Sequence, residues 1–140
     1  MMLFMNPIIS NNPKETKKLA AAIAGRLKGG AVIGLAGELG AGKTVFVQGL
    51  AEALGVKGQV NSPTFVLMKV YGQLVHVDAY RLSDSSELRE IGLEEYFNKD
   101  RVVVIEWADK VKDILPEGSM MIEFKMGENE NQREIEVKKA

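Results

Sequence analysis

The chain has 140 residues, 18 of them basic and 19 acidic, for a net charge of −1. That length allows one domain with a real core and is too short for two, and so small a charge sets up no field that would capture nucleic acid unaided. With no cysteine and one histidine, His76, disulfides, thiolate metal sites, cysteine nucleophiles and histidine-rich metal centres are excluded.

The apolar start, Met1 to Pro7, lacks both a basic n-region and a sustained apolar core of the kind a secretory leader carries. No run approaches membrane-spanning length, so the expectation is a cytoplasmic protein without membrane contact. Ile8 and Ile9 suit a short first strand. Asn12-Pro13-Lys14-Glu15 then opens a helix: a capping side chain, proline at the first helical position and glutamate at the third. Leu19, Ile23 and Leu27 form one apolar stripe, and Gly29-Gly30 is expected to end the helix.

Ala31-Val32-Ile33-Gly34-Leu35-Ala36 reads as a buried strand, and it runs into Gly37-Glu38-Leu39-Gly40-Ala41-Gly42-Lys43-Thr44. This is glycine, four residues, glycine, lysine, threonine: the phosphate-binding loop pattern. Glycines allow backbone conformations in which successive N–H groups turn inward on phosphate oxygens. Lys43 is placed to reach the β- and γ-phosphates and the Thr44 hydroxyl to meet Mg²⁺. Val47, Leu50, Ala51 and Leu54 follow at helical spacing up to Gly55, so the positive end of a helix sits on the same anion. Strand, loop and helix in this order point to nucleotide binding.

Ser62-Pro63-Thr64-Phe65 follows a loop from Val56 to Asn61. Two readings fit it: a turn entering a strand, or a loop that senses γ-phosphate or metal through Ser62 or Thr64. Phe65 to Tyr80 reads as a hairpin turning at Tyr71-Gly72-Gln73. Alternation then puts His76, Asp78 and Tyr80 on one face and Val75, Val77 and Ala79 on the other. By the same alternation Arg81 faces away from Asp78. Ser83 to Ser86 is capping chemistry for a helix through about Ile91, and Leu93 to Phe97 suits a further helical turn. Glu87, Glu90, Glu94 and Glu95 read as a solvated face.

Val102-Val103-Val104-Ile105 is an unbroken apolar run, the mark of a strand covered on both faces. It ends in Glu106-Trp107. An acid at the end of such a strand, downstream of a phosphate loop, stands where Mg²⁺-side carboxylates are placed. Ser119 to Met126 and Arg133 to Lys138 alternate as a closing hairpin around a loop at Gly127 to Asn131.

Four motifs, Gly37 to Thr44, Ser62-Pro63-Thr64-Phe65, His76-Val77-Asp78-Ala79-Tyr80-Arg81-Leu82 and Glu106-Trp107, occur in an order and spacing similar to the bacterial TsaE family, also called YjeE or YdiB. The resemblance runs over nearly the full length. It implies a single α/β domain over 1–140, a P-loop NTPase-like three-layer fold with a central mixed β-sheet and a C-terminal hairpin. It implies ATP and Mg²⁺ as cofactors and the TsaB–TsaD pair as partner, with tRNA met only through that complex. The partners transfer threonylcarbamoyl to adenosine in tRNAs reading codons that begin with A, and the ATPase sustains their cycles. Carried over by position, Gly37, Glu38, Leu39, Gly40, Ala41, Gly42, Lys43, Thr44 and Val45 bind nucleotide, and Ser62 and Thr64 belong to a switch-like loop. Asp78 orients or deprotonates water, while Thr44 and Glu106 hold metal. The residues alone leave the two acids interchangeable, because Leu74 to Val77 before Asp78 also resembles a buried run ending in an acid.

Three rivals come from other classes. A GTPase-like switch would read guanine with Asn-Lys-x-Asp; Asn98-Lys99-Asp100 has its aspartate one place early and a strand after it instead of before, a coincidence. A small-molecule kinase needs an acceptor site and a lid for which 140 residues leave little room. A module that senses ATP without hydrolysing it has no use for carboxylates at both Asp78 and Glu106.

Overall fold

Two apolar strands lie side by side at the middle of the molecule, β2 (Ala31–Gly37) and β5 (Val102–Glu106). Every residue of β5 is buried, as a continuous apolar run requires when both faces are covered. The computed structural model describes residues 7–27, 29–38, 40–58, 60, 67–97 and 100–139. Leu39, Ser62, Thr64 and the Asn98-Lys99 pair lie outside the described residues.

Around this pair a seven-stranded sheet is ordered β1-β7-β6-β2-β5-β4-β3. The remaining strands are β1 (Ile8–Ser10), β3 (Met68–Tyr71), β4 (Leu74–Asp78), β6 (Met120–Met126) and β7 (Arg133–Lys139). The interior β6, β2, β5 and β4 run parallel, while β3, β7 and β1 join antiparallel. The sheet is therefore mixed, with a β6–β7 hairpin closing its C-terminal side, as expected.

Helices α1 (Pro13–Ala24) and α2 (Lys43–Ala53) cover one face. Leu19, Ile23, Phe46 and Leu50 pack there on Ile33, Leu35, Val104 and Phe124. The other face carries α3 (Ser86–Glu90) and three 3-10 turns, Leu93–Tyr96, Ala108–Lys110 and Lys112–Ile114. Leu88, Leu93 and Ile114 pack there on Val75, Val77, Val103 and Ile105. Helical cover on both faces makes three layers.

Several local expectations are corrected. α1 stops at Ala24 with Gly25 as its C-cap, ahead of Gly29-Gly30, because Gly25 N–H already closes onto Ala21 O. Leu27 still packs against the core from beyond the helix. At the other end the expected cap holds: Asn12 Oδ1 accepts the Glu15 N–H at 2.9 Å ahead of Pro13 at the first helical position, and Glu15 Oε1 accepts the Asn11 N–H at 2.8 Å. Ser85 precedes α3 without capping it; its hydroxyl donates to Asp113 Oδ2 at 2.7 Å instead. β4 ends at Asp78, so strand alternation does not extend to Tyr80 or Arg81. Glu87, Glu90, Glu94 and Glu95 are exposed, as a solvated face should be.

Candidate nucleotide site

Parallel pairing brings the C-terminal ends of β2, β5 and β4 to one edge of the sheet, where open α/β sheets hold their ligands. In register, Glu106 stands beside Leu35 on one side and Asp78 on the other. Here β2 turns into the phosphate loop. The turn needs glycine first: Gly37 has φ 145°, and a Cβ on it would lie 2.5 Å from the Phe124 carbonyl oxygen of β6. It needs glycine again at Gly42, which takes φ 99° at the N-cap of α2. Among the described residues no side chain caps that helix, and the positive end of its dipole lies at the loop, where an anion is favoured.

Lys43 is only 5% exposed. Its Nζ donates to the Gly37 and Glu38 carbonyls at 2.6 and 2.8 Å and sits 4.2 Å from the centre of the Trp107 ring. Burial pulls the lysine below its usual range, opposed by Glu106 and, more weakly, Asp109, Asp78 and Glu38. Trp107 reaches this position through a left-handed backbone, φ 60°, uncommon outside glycine. Its ring also packs at 5.1 Å on Tyr80, and Lys110 Nζ lies over both rings while donating to Tyr80 O.

Asp78 is half-buried. Its Oδ1 accepts the Tyr80 N–H at 2.9 Å. Burial raises its carboxyl above the ordinary aspartate range; the Tyr80 N–H counteracts this, and nearby Glu106 adds to the rise. Glu106 is 3% exposed, and its Oε2 lies 2.6 Å from Nε2 of the fully buried His76.

A cleft of about 460 Å³ gathers Gly40, Gly42, Lys43, Thr44, Val45, Asp78 and Glu106, with Tyr80, Trp107 and Arg133 completing its wall. That is the size range of small-molecule sites. Gly37 and Glu38 meet this cleft through their carbonyls on Lys43 and themselves line a second hollow of about 440 Å³ against β6. Ala41 is buried in the core beneath the loop.

Sequence reasoning missed Arg133. Arg81 is exposed beyond the end of β4, and Arg89 is engaged with Asp113 at 3.1 Å and with Ser85. The arginine at the loop comes from the first residue of β7: Arg133 Nη2 donates to Gly40 O at 3.1 Å, and Nη1 to Glu130 O and Gln132 O. Its buried Nε finds no hydrogen-bond partner among the described residues. An orphaned cationic donor beside an uncapped helix N-terminus suits an anionic ligand. No local signal marks Arg133, since only the β6–β7 pairing carries it to the loop.

The model of the family described as "Threonylcarbamoyl adenosine biosynthesis protein TsaE" matches residues 10–135. The tRNA threonylcarbamoyladenosine biosynthesis protein TsaE of Bacillus subtilis (strain 168) is 44% identical over 128 residues, 89% of this chain and 79% of that protein. The protein of the same description from Treponema pallidum (strain Nichols) is 39% identical over 132 residues, 92% of this chain and 97% of its own length. A crystal structure of Bacillus subtilis YdiB superposes with a TM-score of 0.78 at 36% identity, covering 96% of this chain and 85% of that one. Motif order, P-loop NTPase-like architecture and near full-length similarity agree, and the chain belongs to the TsaE family of threonylcarbamoyl adenosine biosynthesis proteins.

Proposed function

We propose that this chain is a slow Mg²⁺-dependent ATPase that serves tRNA threonylcarbamoyladenosine synthesis by sustaining turnover of a TsaB–TsaD complex, and meets tRNA only through that complex. The observation that carries this reading is the convergence in one cleft of an uncapped helix N-terminus, Lys43, Thr44 and two register-paired carboxylates, Asp78 and Glu106. A cytoplasmic setting follows from that role, and no helix among the described residues is long and apolar enough to cross a membrane.

The donor set fits Mg²⁺. Thr44 and Glu106 offer hard oxygens, and among the described residues no group of three or more His, Cys, Asp or Glu could cage a metal alone. Such a partial shell is what Mg²⁺ takes when phosphate and water supply the rest. Bound there, the ion would neutralise charge on the phosphate oxygens. The loop N–H groups and Lys43 bind the phosphates. For Lys43 this means trading a carbonyl contact for a phosphate oxygen, at little desolvation cost because the ammonium is already buried. Asp78, raised by burial, is the base that orients water and accepts its proton. Trp107 and Tyr80 form part of the cleft wall.

The test is ATP binding and steady-state hydrolysis by the wild type and by Lys43→Ala, with TsaB and TsaD added singly and then together with tRNA. Lys43→Ala should weaken ATP binding by on the order of 100-fold, the loss of charge-assisted bonds to phosphate, with the fold retained. Hydrolysis by the wild type should be slow alone and accelerate only with the full set. Unchanged affinity in the variant defeats the site assignment, and fast hydrolysis indifferent to the partners defeats the coupling.

A further inference from the structure

His76 takes no part in the chemistry above, yet it is the chain's one histidine and is wholly buried in the middle of β4. Its strand neighbours across the sheet are Lys69 of β3 and Val104 of β5, and Val75 and Val77 beside it enter the core on the α3 side. Burying an imidazole there is costly, and an apolar side chain of similar bulk would serve packing better. What its polarity achieves is one bond. A carboxylate only accepts, so the hydrogen lies on Nε2 and is donated to Glu106 Oε2 at 2.6 Å. Nδ1 has no hydrogen-bond partner among the described residues.

The two side chains come from adjacent parallel strands, with Glu106 two residues beyond the Val104 that pairs with His76. The donor therefore reaches the carboxylate from a register position two residues N-terminal to the strand ends that line the cleft. A bond this short limits rotation of the carboxylate plane about its last torsion. Glu106, at 3% exposure, cannot recover that order from water. Donors behind a ligating group commonly set metal affinity in this way.

We propose that His76 is a positioning residue: its Nε2–H fixes the Glu106 carboxylate in the orientation that meets the Mg²⁺ of a bound nucleotide, and so sets the metal dependence of nucleotide binding. This rests on Glu106 being the metal-side acid.

The test is calorimetric titration of ADP into the protein at stepped Mg²⁺ concentrations, for the wild type, His76→Gln and His76→Asn. A glutamine amide nitrogen lies about where Nε2 does, whereas asparagine is one bond too short. His76→Gln should keep the Mg²⁺ concentration for half-maximal enhancement within about threefold of wild type, and His76→Asn should raise it by about 10-fold or more. ADP affinity without Mg²⁺ should stay within about twofold in both, since phosphate contacts of the loop are untouched. His76→Leu, which packs but cannot donate, should match His76→Asn and replaces it if the shorter amide does not fold. A folded His76→Asn or His76→Leu with wild-type Mg²⁺ dependence overturns the proposal, as does a parallel loss of affinity with and without metal. A wild type whose ADP binding ignores Mg²⁺ overturns the metal reading of Glu106 itself.

Discussion

Truncating Arg133 to alanine separates two roles a cation beside a phosphate loop can have. In the free protein its guanidinium reaches across from β7 and donates to Gly40 O at 3.1 Å, while its other bonds, to Glu130 and Gln132 carbonyls, are local to the hairpin. Only the first acts on the loop. A hydrogen bond from a charged donor contributes roughly 1.5–3 kcal/mol, and exposure of the Gly40 end reduces this to about 1 kcal/mol of loop ordering. Losing it, together with the guanidinium charge at the cleft wall, should weaken ATP binding by about 10-fold, near 1.4 kcal/mol. Turnover at saturating ATP should fall by less than about 10-fold, because a loop-holding residue acts equally on ground and transition states. An arginine that instead meets developing charge on the γ-phosphate would cost about 1,000-fold or more in kcat. The assay is equilibrium ATP binding beside single-turnover hydrolysis, with melting temperature as a control, since the neighbouring core residue Ile135 is untouched. Unaltered affinity with a kcat collapse of the larger size would refute loop-holding and make Arg133 the transition-state cation.

Three further outcomes follow from the same geometry. Because burial raises Asp78 and a base must be unprotonated, the acid limb of the kcat/KM profile should lie above the ordinary aspartate range and vanish with most of the turnover in Asp78→Asn; a limb at the ordinary aspartate value, or one surviving in Asp78→Asn, would contradict it. The same raised carboxyl means the folded state holds this proton more readily than the unfolded one, so its contribution to stability is full at low pH and lost as pH climbs through the ordinary aspartate range to the raised one; Asp78→Asn should therefore melt slightly above wild type at neutral pH, and a lower melting temperature would show the charge to be stabilising. Gly37→Ala should destabilise by about 1–3 kcal/mol, because its Cβ would lie 2.5 Å from a β6 main-chain oxygen that cannot swing aside without leaving the sheet, and wild-type melting would show that the close approach is not rigid.

Much of the fold was legible because its information is local. Val102 to Ile105 is apolar without alternation, so β5 had to lie inside the sheet, and the glycine-lysine-threonine pattern marked the loop wherever the chain went next. A turn at Tyr71-Gly72-Gln73 was readable from turn chemistry, although Tyr71 itself closes β3 and pairs with Leu74. Placing Asp78 and Glu106 both at strand ends was also possible, since each closes a run that resembles a buried strand.

What the residues could not say by themselves was which strand ends meet. Register and strand order are set by how whole faces pack, and they turn two distant acids into neighbours. They bring the first residue of β7 to Gly40, 93 residues back along the chain, and convert a lone histidine from a core residue into the partner of a carboxylate 30 residues on. The local readings failed where a competing contact won: Ser85 left its cap position for Asp113, and α1 ended at the first glycine that could close it. Sequence alone determined the chemistry that is available, because loop conformation and apolar periodicity are written in neighbouring residues. The tertiary structure decided which groups share one cleft, because long-range pairing is settled by burying both faces of the sheet at once.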